Sequence, residues 1–190
     1  IDSESYSCYV LINNEGEREM QKPLLKEIVL EQEKDRKSLD KGVPRTALAA
    51  ALRHAALPHA VVVSGVRRCG KSTLLNQVIG DLYKDGIYYL NFEDERLIDF
   101  TVEDFNDLYE VFLELYGEKK VFFFDEIQNI SKWEMFVRRM QGKGCKFFIT
   151  GSNASLLSKE LGTKLSGRNI NIELFPFSFR EFLSFKGVQP

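Results

Sequence analysis

Eight consecutive residues carry the clearest chemistry in this chain. Gly65-Val66-Arg67-Arg68-Cys69-Gly70-Lys71-Ser72 places four residues between two glycines and follows the second with a lysine and a hydroxyl. Glycine permits backbone angles and close approaches that a side chain would block. The intervening N–H groups can therefore converge on one anion. A helix that begins at the lysine adds its positive dipole end. Lys71 is then a point charge for the β- and γ-phosphates, and the Ser72 hydroxyl has the right length to ligate Mg²⁺. The expected nucleotide-binding set is Gly65, Val66, Arg67, Arg68, Cys69, Gly70, Lys71, Ser72 and Thr73, with Arg67 and Arg68 acting more through their backbone than their side chains. Cys69, in an electropositive loop at a helix start, is expected to be a reactive thiol that bound nucleotide shields.

An acidic pair comes next. Val121-Phe-Phe-Phe-Asp125-Glu126 is an apolar run ending in two carboxylates. An aspartate at the end of such a strand can hold Mg²⁺ beside a phosphate loop, through water, because Mg²⁺ keeps much of its hydration shell. Glu126 would stand beside the γ-phosphate, where it could orient and deprotonate an attacking water. On their own the two acids would read as a helix cap or a solvated turn; the phosphate loop upstream tips the balance. With Asp125 and Ser72 as metal ligands and Glu126 as base, the expected cofactors are ATP and Mg²⁺.

Two further positions are candidates. Phe147-Phe-Ile-Thr150-Gly-Ser152-Asn153 ends an apolar strand in small polar residues. Ser152 or Asn153 could touch the γ-phosphate or the attacking water, or either could cap the helix expected over 154–161. Arg168 falls just before the last strand. It could reach into a neighbouring copy and stabilise transition-state charge there, or be an ordinary surface arginine.

These groups need a scaffold that brings strand ends together. Short apolar, β-branched or aromatic runs at 59–64, 87–92, 121–124, 145–150 and 170–174 alternate with helical patterns at 72–83, 102–116, 133–140, 154–161 and 178–185. Nearly continuous apolar strands alternating with helices predict an α/β fold with a parallel sheet covered on both faces. Two more helices, from Pro23 to about Lys37 and over 45–56, precede the first strand. Residues 20–57 therefore read as an N-terminal helical extension and 58–190 as the nucleotide-binding core. Residues 1–19 read as an irregular leader or tag-like segment, with Met20 the first methionine.

Composition narrows the classes. The chain has 190 residues, 44% of them hydrophobic, with a net charge of −2; that is enough apolar material for one core, with no basic excess that would demand nucleic acid. The cysteines Cys8, Cys69 and Cys145 are widely spaced and the only histidines are His54 and His59, which argues against a disulfide framework or a zinc site. No apolar run approaches a membrane span, and a cytoplasmic location is expected. Lys132, Arg138, Arg139, Lys143 and Lys146 cluster around one helix, as a solvated face or a DNA contact. Trp133 reads as a core or groove anchor rather than a base-stacking platform, and Glu93 and Asp94 as a solvated turn or helix cap rather than groups facing the nucleotide or a neighbouring subunit.

With these residues together, the chain resembles the prokaryotic predicted ATPases of the AAA+ superfamily, which are P-loop NTPases. The resemblance rests on Gly65-Val-Arg-Arg-Cys-Gly-Lys-Ser72, Tyr89-Leu-Asn-Phe-Glu-Asp-Glu-Arg96, Asp125-Glu-Ile-Gln128 with Trp133-Glu134, Thr150-Gly-Ser152, and Leu165-Ser-Gly-Arg168 leading to Leu174-Phe-Pro-Phe-Ser-Phe-Arg-Glu181. It implies a three-layer α/β/α fold with strand order 5-1-4-3-2, and adenine near Gly42-Val-Pro-Arg45. It also implies a C-terminal lid and further domain beyond these residues. Three functions compete: an ATPase that drives or switches a partner, a nucleotide-dependent binding module with little hydrolysis, and a small-molecule kinase. Glu126 after Asp125 disfavours the last. A second copy of the chain and nucleic acid stay open as partners beside ATP; a membrane does not.

Overall fold

The computed structural model describes residues 21–84, 86–152, 165 and 167–188. Its strands are β1 (Ala60–Ser64), β2 (Tyr88–Asn91), β3 (Val121–Asp125), β4 (Lys146–Gly151) and β5 (Asn169–Glu173). All neighbours pair in parallel, in the order β2-β3-β4-β1-β5. This is the expected order 5-1-4-3-2 read from the other edge.

The helices are α1 (Lys22–Ser38), α2 (Leu48–Ala55), α3 (Lys71–Val78), α4 (Phe105–Tyr116), α5 (Trp133–Gly142) and, in the C-terminal part, α6 (Phe179–Phe185). A π-helical turn, Ile79–Tyr83, continues α3. The helix expected over 154–161 lies outside the described residues.

Strand side chains alternate between faces, and this alternation builds two cores. On one face Ala60, Val62, Phe122, Phe124, Phe147 and Ile149 meet Leu25 and Ile28 of α1, Phe105 and Phe112 of α4, and Trp133 and Phe136 of α5. On the other face Val61, Val63, Phe123 and Phe148 meet Ala51 of α2 and Leu74, Leu75 and Val78 of α3. The register pairs Phe122 with Phe147 and Phe123 with Phe148, so the rings stack across the strands on opposite faces, with centroids 4.7 and 4.6 Å apart. Each such ring contributes about 1.5–3 kcal/mol by leaving water. Trp133 is fully buried, as expected. Residues 21–57 supply α1 to one core and α2 to the other.

Two helices start later than their patterns predict. The stretch before α2 is expected to be helical from Arg45, but the helix begins at Leu48; ahead of it Arg45 N–H donates to Gln77 Oε1 (3.2 Å) and Thr46 N–H to Glu181 Oε1 (2.8 Å). Before α4, the Asp104 carboxylate accepts from Thr101 N–H (2.7 Å) and Thr101 hydroxyl (2.8 Å) and closes a separate turn. At α6, Ser178 and Glu181 form the capping box that a serine three residues before a glutamate predicts.

Candidate functional site

Parallel pairing puts the carboxyl ends of the strands on one edge of the sheet, the usual place for a ligand in an open α/β fold. Ser64 stands level with Gly151, and Phe124 with Ile149, so Asp125 and Thr150 end neighbouring strands side by side. The loop from Gly65 leaves β1 at this edge and runs into the N-terminus of α3.

The loop needs its glycines for specific contacts. A Cβ on Gly65 would stand 2.2 Å from the Leu174 carbonyl oxygen and 2.9 Å from Cys69 Sγ. Gly70 has φ +96°, in the left-handed region that favours glycine. Within the loop Cys69 N–H donates to Val66 O at 3.3 Å, and the exposed Arg67 side chain pairs with Glu93. The Cys69 thiol is buried with Val61, Val63 and Leu174, whereas a reactive cysteine is expected to be accessible.

Lys71 turns inward and its side chain is almost fully buried. Its ammonium donates to the Ser152 hydroxyl (2.7 Å) and to the carbonyls of Gly65 and Val66 (3.3 Å each). It also pairs with Glu126 Oε1 at 3.1 Å. The Ser152 hydroxyl reaches Glu126 Oε1 (2.7 Å), and Ser152 N–H donates to Oε2 (3.1 Å). Gln128 Nε2 donates to the same Oε2 at 2.7 Å. Burial alone would raise the Glu126 pKa. The hydrogen bonds from Gln128 and Ser152 and the charge of Lys71 outweigh it and hold the carboxyl below its ordinary value.

Asp125 is completely buried. Burial raises its pKa, opposed by the hydroxyls of Ser72 and Thr150. Thr150 donates its hydroxyl to Asp125 Oδ1 and accepts Glu126 N–H at 2.9 Å, so one side chain fixes both acids. Glu126 sits at φ +51°, a left-handed conformation that costs about 1–3 kcal/mol at a non-glycine residue, and Thr150 helps to hold it there. Asp125 Oδ2 is buried without a hydrogen-bond partner. An unpaired buried carboxylate oxygen is costly unless something fills the role. Beside the Ser72 hydroxyl it suits a hydrated Mg²⁺, which takes hard oxygen ligands. Among the described residues, no group of three or more His, Cys, Asp or Glu side chains could hold a metal by itself; phosphate and water would have to complete the shell.

The edge thus brings together the loop Gly65–Ser72, Asp125, Glu126 and Ser152. Asn153 lies outside the described residues. Arg168 sits at the opposite end of the sheet: its carbonyl accepts from Ala60 N–H (2.9 Å) at the start of β1 and from Gln141 Nε2 (3.0 Å). The length of β1, about 15 Å, separates it from its own phosphate loop. Sequence reasoning missed Thr150 and Gln128, which lie inside motifs whose neighbours carried the attention. Asp94, read as a cap, accepts from Arg96 N–H (3.1 Å) and Gln32 Nε2 (3.0 Å), and its pKa falls to about 2, chiefly through Arg96. Of the basic cluster, Lys146 donates to the carbonyls of His54, Leu57 and His59 at 2.6–2.8 Å, and Arg139 to Asn106 Oδ1 at 2.6 Å.

Comparison with known proteins places this edge in context. Residues 58–183 match the family model described as an AAA domain. A protein of Methanocaldococcus jannaschii, MJ1544, is 48% identical over 125 residues, covering 66% of this chain and 28% of that protein. A protein of Haemophilus influenzae is 43% identical over 134 residues, covering 67% and 34%. The chain thus spans about a third or less of these relatives. A closed-state reconstruction of Hsp104 with ATPγS and FITC-casein superposes with a TM-score of 0.56 at 17% identity, over 84% of this chain and 32% of that one. At that identity the likeness is one of fold. No helix of the described residues is long and apolar enough to cross a membrane.

Proposed function

The chain belongs to the AAA domain family of AAA+ P-loop NTPases, and from that premise we propose that it binds ATP with Mg²⁺ at the Gly65–Ser72 loop and hydrolyses it, to drive or switch a partner activity. The observation that carries this reading is the meeting of Lys71, Glu126 and Ser152 around one point, beside a buried Asp125 oxygen with no partner.

Glu126 pairs with the ammonium that a γ-phosphate would claim. ATP takes Lys71 from Glu126, and the freed carboxylate, still held by Gln128, faces the position of an attacking water. Glu126 accepts the proton as the water oxygen bonds to the γ-phosphorus and the bond to the bridging oxygen of ADP breaks. Ser152 senses whether the γ-phosphate is present, because its hydroxyl bridges the two groups that the phosphate separates. Ser72 and Asp125 would hold Mg²⁺, which supplies Lewis-acid stabilisation of the phosphate charge. Adenine would lie near the Gly42–Arg45 segment, which Gln77 ties to α3.

Arg168 cannot serve its own site at this distance; in this reading it completes the site of a neighbouring copy. Mixing Arg168→Ala with Lys71→Ala chains should then restore some turnover, and no rescue would make it a surface residue. Cytoplasmic residence goes with the reading, supported by the free, buried Cys69 and Cys145. The decisive assay is Mg²⁺-dependent phosphate release from ATP. A chain that binds Mg-ATP but releases no phosphate is instead a nucleotide-dependent binding module.

A further inference from the structure

The Cys69 carbonyl at the back of the phosphate loop is held from outside the loop. Arg45, buried, donates from Nη1 to Cys69 O (2.5 Å), from Nη2 to Phe175 O (2.6 Å) and from Nε to Glu181 Oε1 (3.1 Å). Its guanidinium lies over the Phe177 ring, 4.9 Å from the centroid. Glu181 Oε1 also accepts from Thr46 N–H (2.8 Å) and hydroxyl (3.1 Å), and Oε2 from Ser178 N–H (2.8 Å) and hydroxyl (2.9 Å). One buried ion pair thus joins the connector before α2, the phosphate loop and the C-terminal helix α6.

The contact has a consequence for the loop. In a trans peptide the C=O and the next N–H point in opposite directions. A guanidinium that draws the Cys69 oxygen to one side turns Gly70 N–H to the other, at the N-terminus of α3, where an anion would bind. A Cβ at Gly70 would stand 2.7 Å from Arg45 Nη1, so the guanidinium also dictates the residue above it. Gln77 ties the connector to α3 as well, accepting from Arg45 N–H and donating to Lys41 O and Val43 O at 2.8 Å each.

Helix α6 has little else to hold it. Glu181 is its only buried residue, while Phe179, Phe182 and Phe185 are 76%, 45% and 59% exposed. An element with so little buried apolar surface opens at low free-energy cost, so its docking depends on the carboxylate.

We infer that Arg45 is a positioning residue for the phosphate loop, and that Glu181 makes this position conditional on the docking of α6, so that nucleotide affinity and the docking of residues 174–188 are coupled. Coupling between two sites is reciprocal: drawing α6 away weakens nucleotide binding, and bound nucleotide tightens α6. The inference rests on the ATP-binding reading above.

The test combines calorimetry of Mg-ATP binding with hydrogen exchange, on the whole chain and its Arg45→Lys and Glu181→Gln variants. Arg45→Lys keeps the charge and loses the fork; Glu181→Gln keeps the shape and loses the charge. Ser178→Ala, which removes one hydrogen bond from Glu181 and spares the ion pair, is a milder variant should the others fail to fold. Mg-ATP affinity is expected to fall about tenfold or more in the first two, and by less in Ser178→Ala. Saturating Mg-ATP should slow exchange over 174–188 in the parent and not in Glu181→Gln. Parent affinity in all folded variants, or exchange over 174–188 that ignores nucleotide in the parent, overturns the coupling. A parent chain that binds no nucleotide sinks the ATP reading instead. The positioning role is then judged from the ligand-free proteins: faster exchange over 65–72 in the variants supports it, and equal exchange overturns it.

Discussion

Lys71 and Glu126 form a buried ion pair, 3.1 Å from Nζ to Oε1, and the Ser152 hydroxyl is hydrogen-bonded to both. The lysine that would clamp the γ-phosphate is therefore engaged by the residue that would activate water. Glu126→Gln removes the competing charge along with the base. It should leave Mg-ATP affinity equal to the parent's or tighter, while turnover falls about 10²-fold or more. Calorimetry and phosphate release on the same preparation check the pair of outcomes; parent turnover in this variant would show that Glu126 is not the base.

Thr150 holds Asp125 and Glu126 at once. Thr150→Val keeps the shape and strands two buried groups, a loss of about 1–3 kcal/mol for each. The two losses together are about 2–6 kcal/mol, so the midpoint of thermal unfolding should drop by roughly 4–24 °C, at about 2–4 °C per kcal/mol for a domain of this size. Hydrolysis should also need more Mg²⁺. A melting curve that superimposes on the parent's would mean the hydroxyl does not carry this load.

Cys69 should react slowly with a small maleimide whether or not Mg-ATP is present, because its thiol packs against the core under Gly65. Fast alkylation blocked by nucleotide would place the sulfur on the phosphate side.

Glu181 sets an acid limit on the C-terminal helix. Burial would raise its pKa, but hydrogen bonds from Thr46 N–H and Ser178, and from Arg45, pull it down from 4.5 to about 2. A carboxyl whose folded pKa lies below its unfolded value contributes stability that is fully present above the unfolded pKa and is lost as pH falls through the folded one. The window is therefore about pH 4.5 down to 2. Denaturant midpoints measured across it should fall less steeply for Glu181→Gln than for the parent. Parallel profiles would deny Glu181 this role.

The phosphate loop and the acidic pair are legible in the sequence because their residue types are required locally: glycines where the chain approaches Leu174 and Arg45, carboxylates where an apolar strand ends. The alternation of the strands and helices is legible for the same kind of reason, since Val61, Phe123 and Phe148 belong to one face and Val62, Phe122 and Phe147 to the other. Contacts between distant segments are not. Nothing near Arg45 signals that Glu181, 136 positions away, will be its partner. Nothing near Thr150 signals that its hydroxyl will bridge two acids at the end of the neighbouring strand. A reactive Cys69 presupposes a loop residue that faces its ligand, whereas the missing side chain of Gly65 leaves room for the sulfur underneath.

The central claim is that the Gly65–Ser72 loop binds Mg-ATP through Lys71, and calorimetric titration of the parent and Lys71→Ala chains with Mg-ATP tests it most directly. Removing one partner of a desolvated charge pair costs about 2–5 kcal/mol, so the parent should bind with one-to-one stoichiometry and Lys71→Ala at least roughly 30-fold more weakly. A parent that gives no binding heat and no competition with a fluorescent nucleotide, or a Lys71→Ala chain that binds as tightly as the parent, would contradict it.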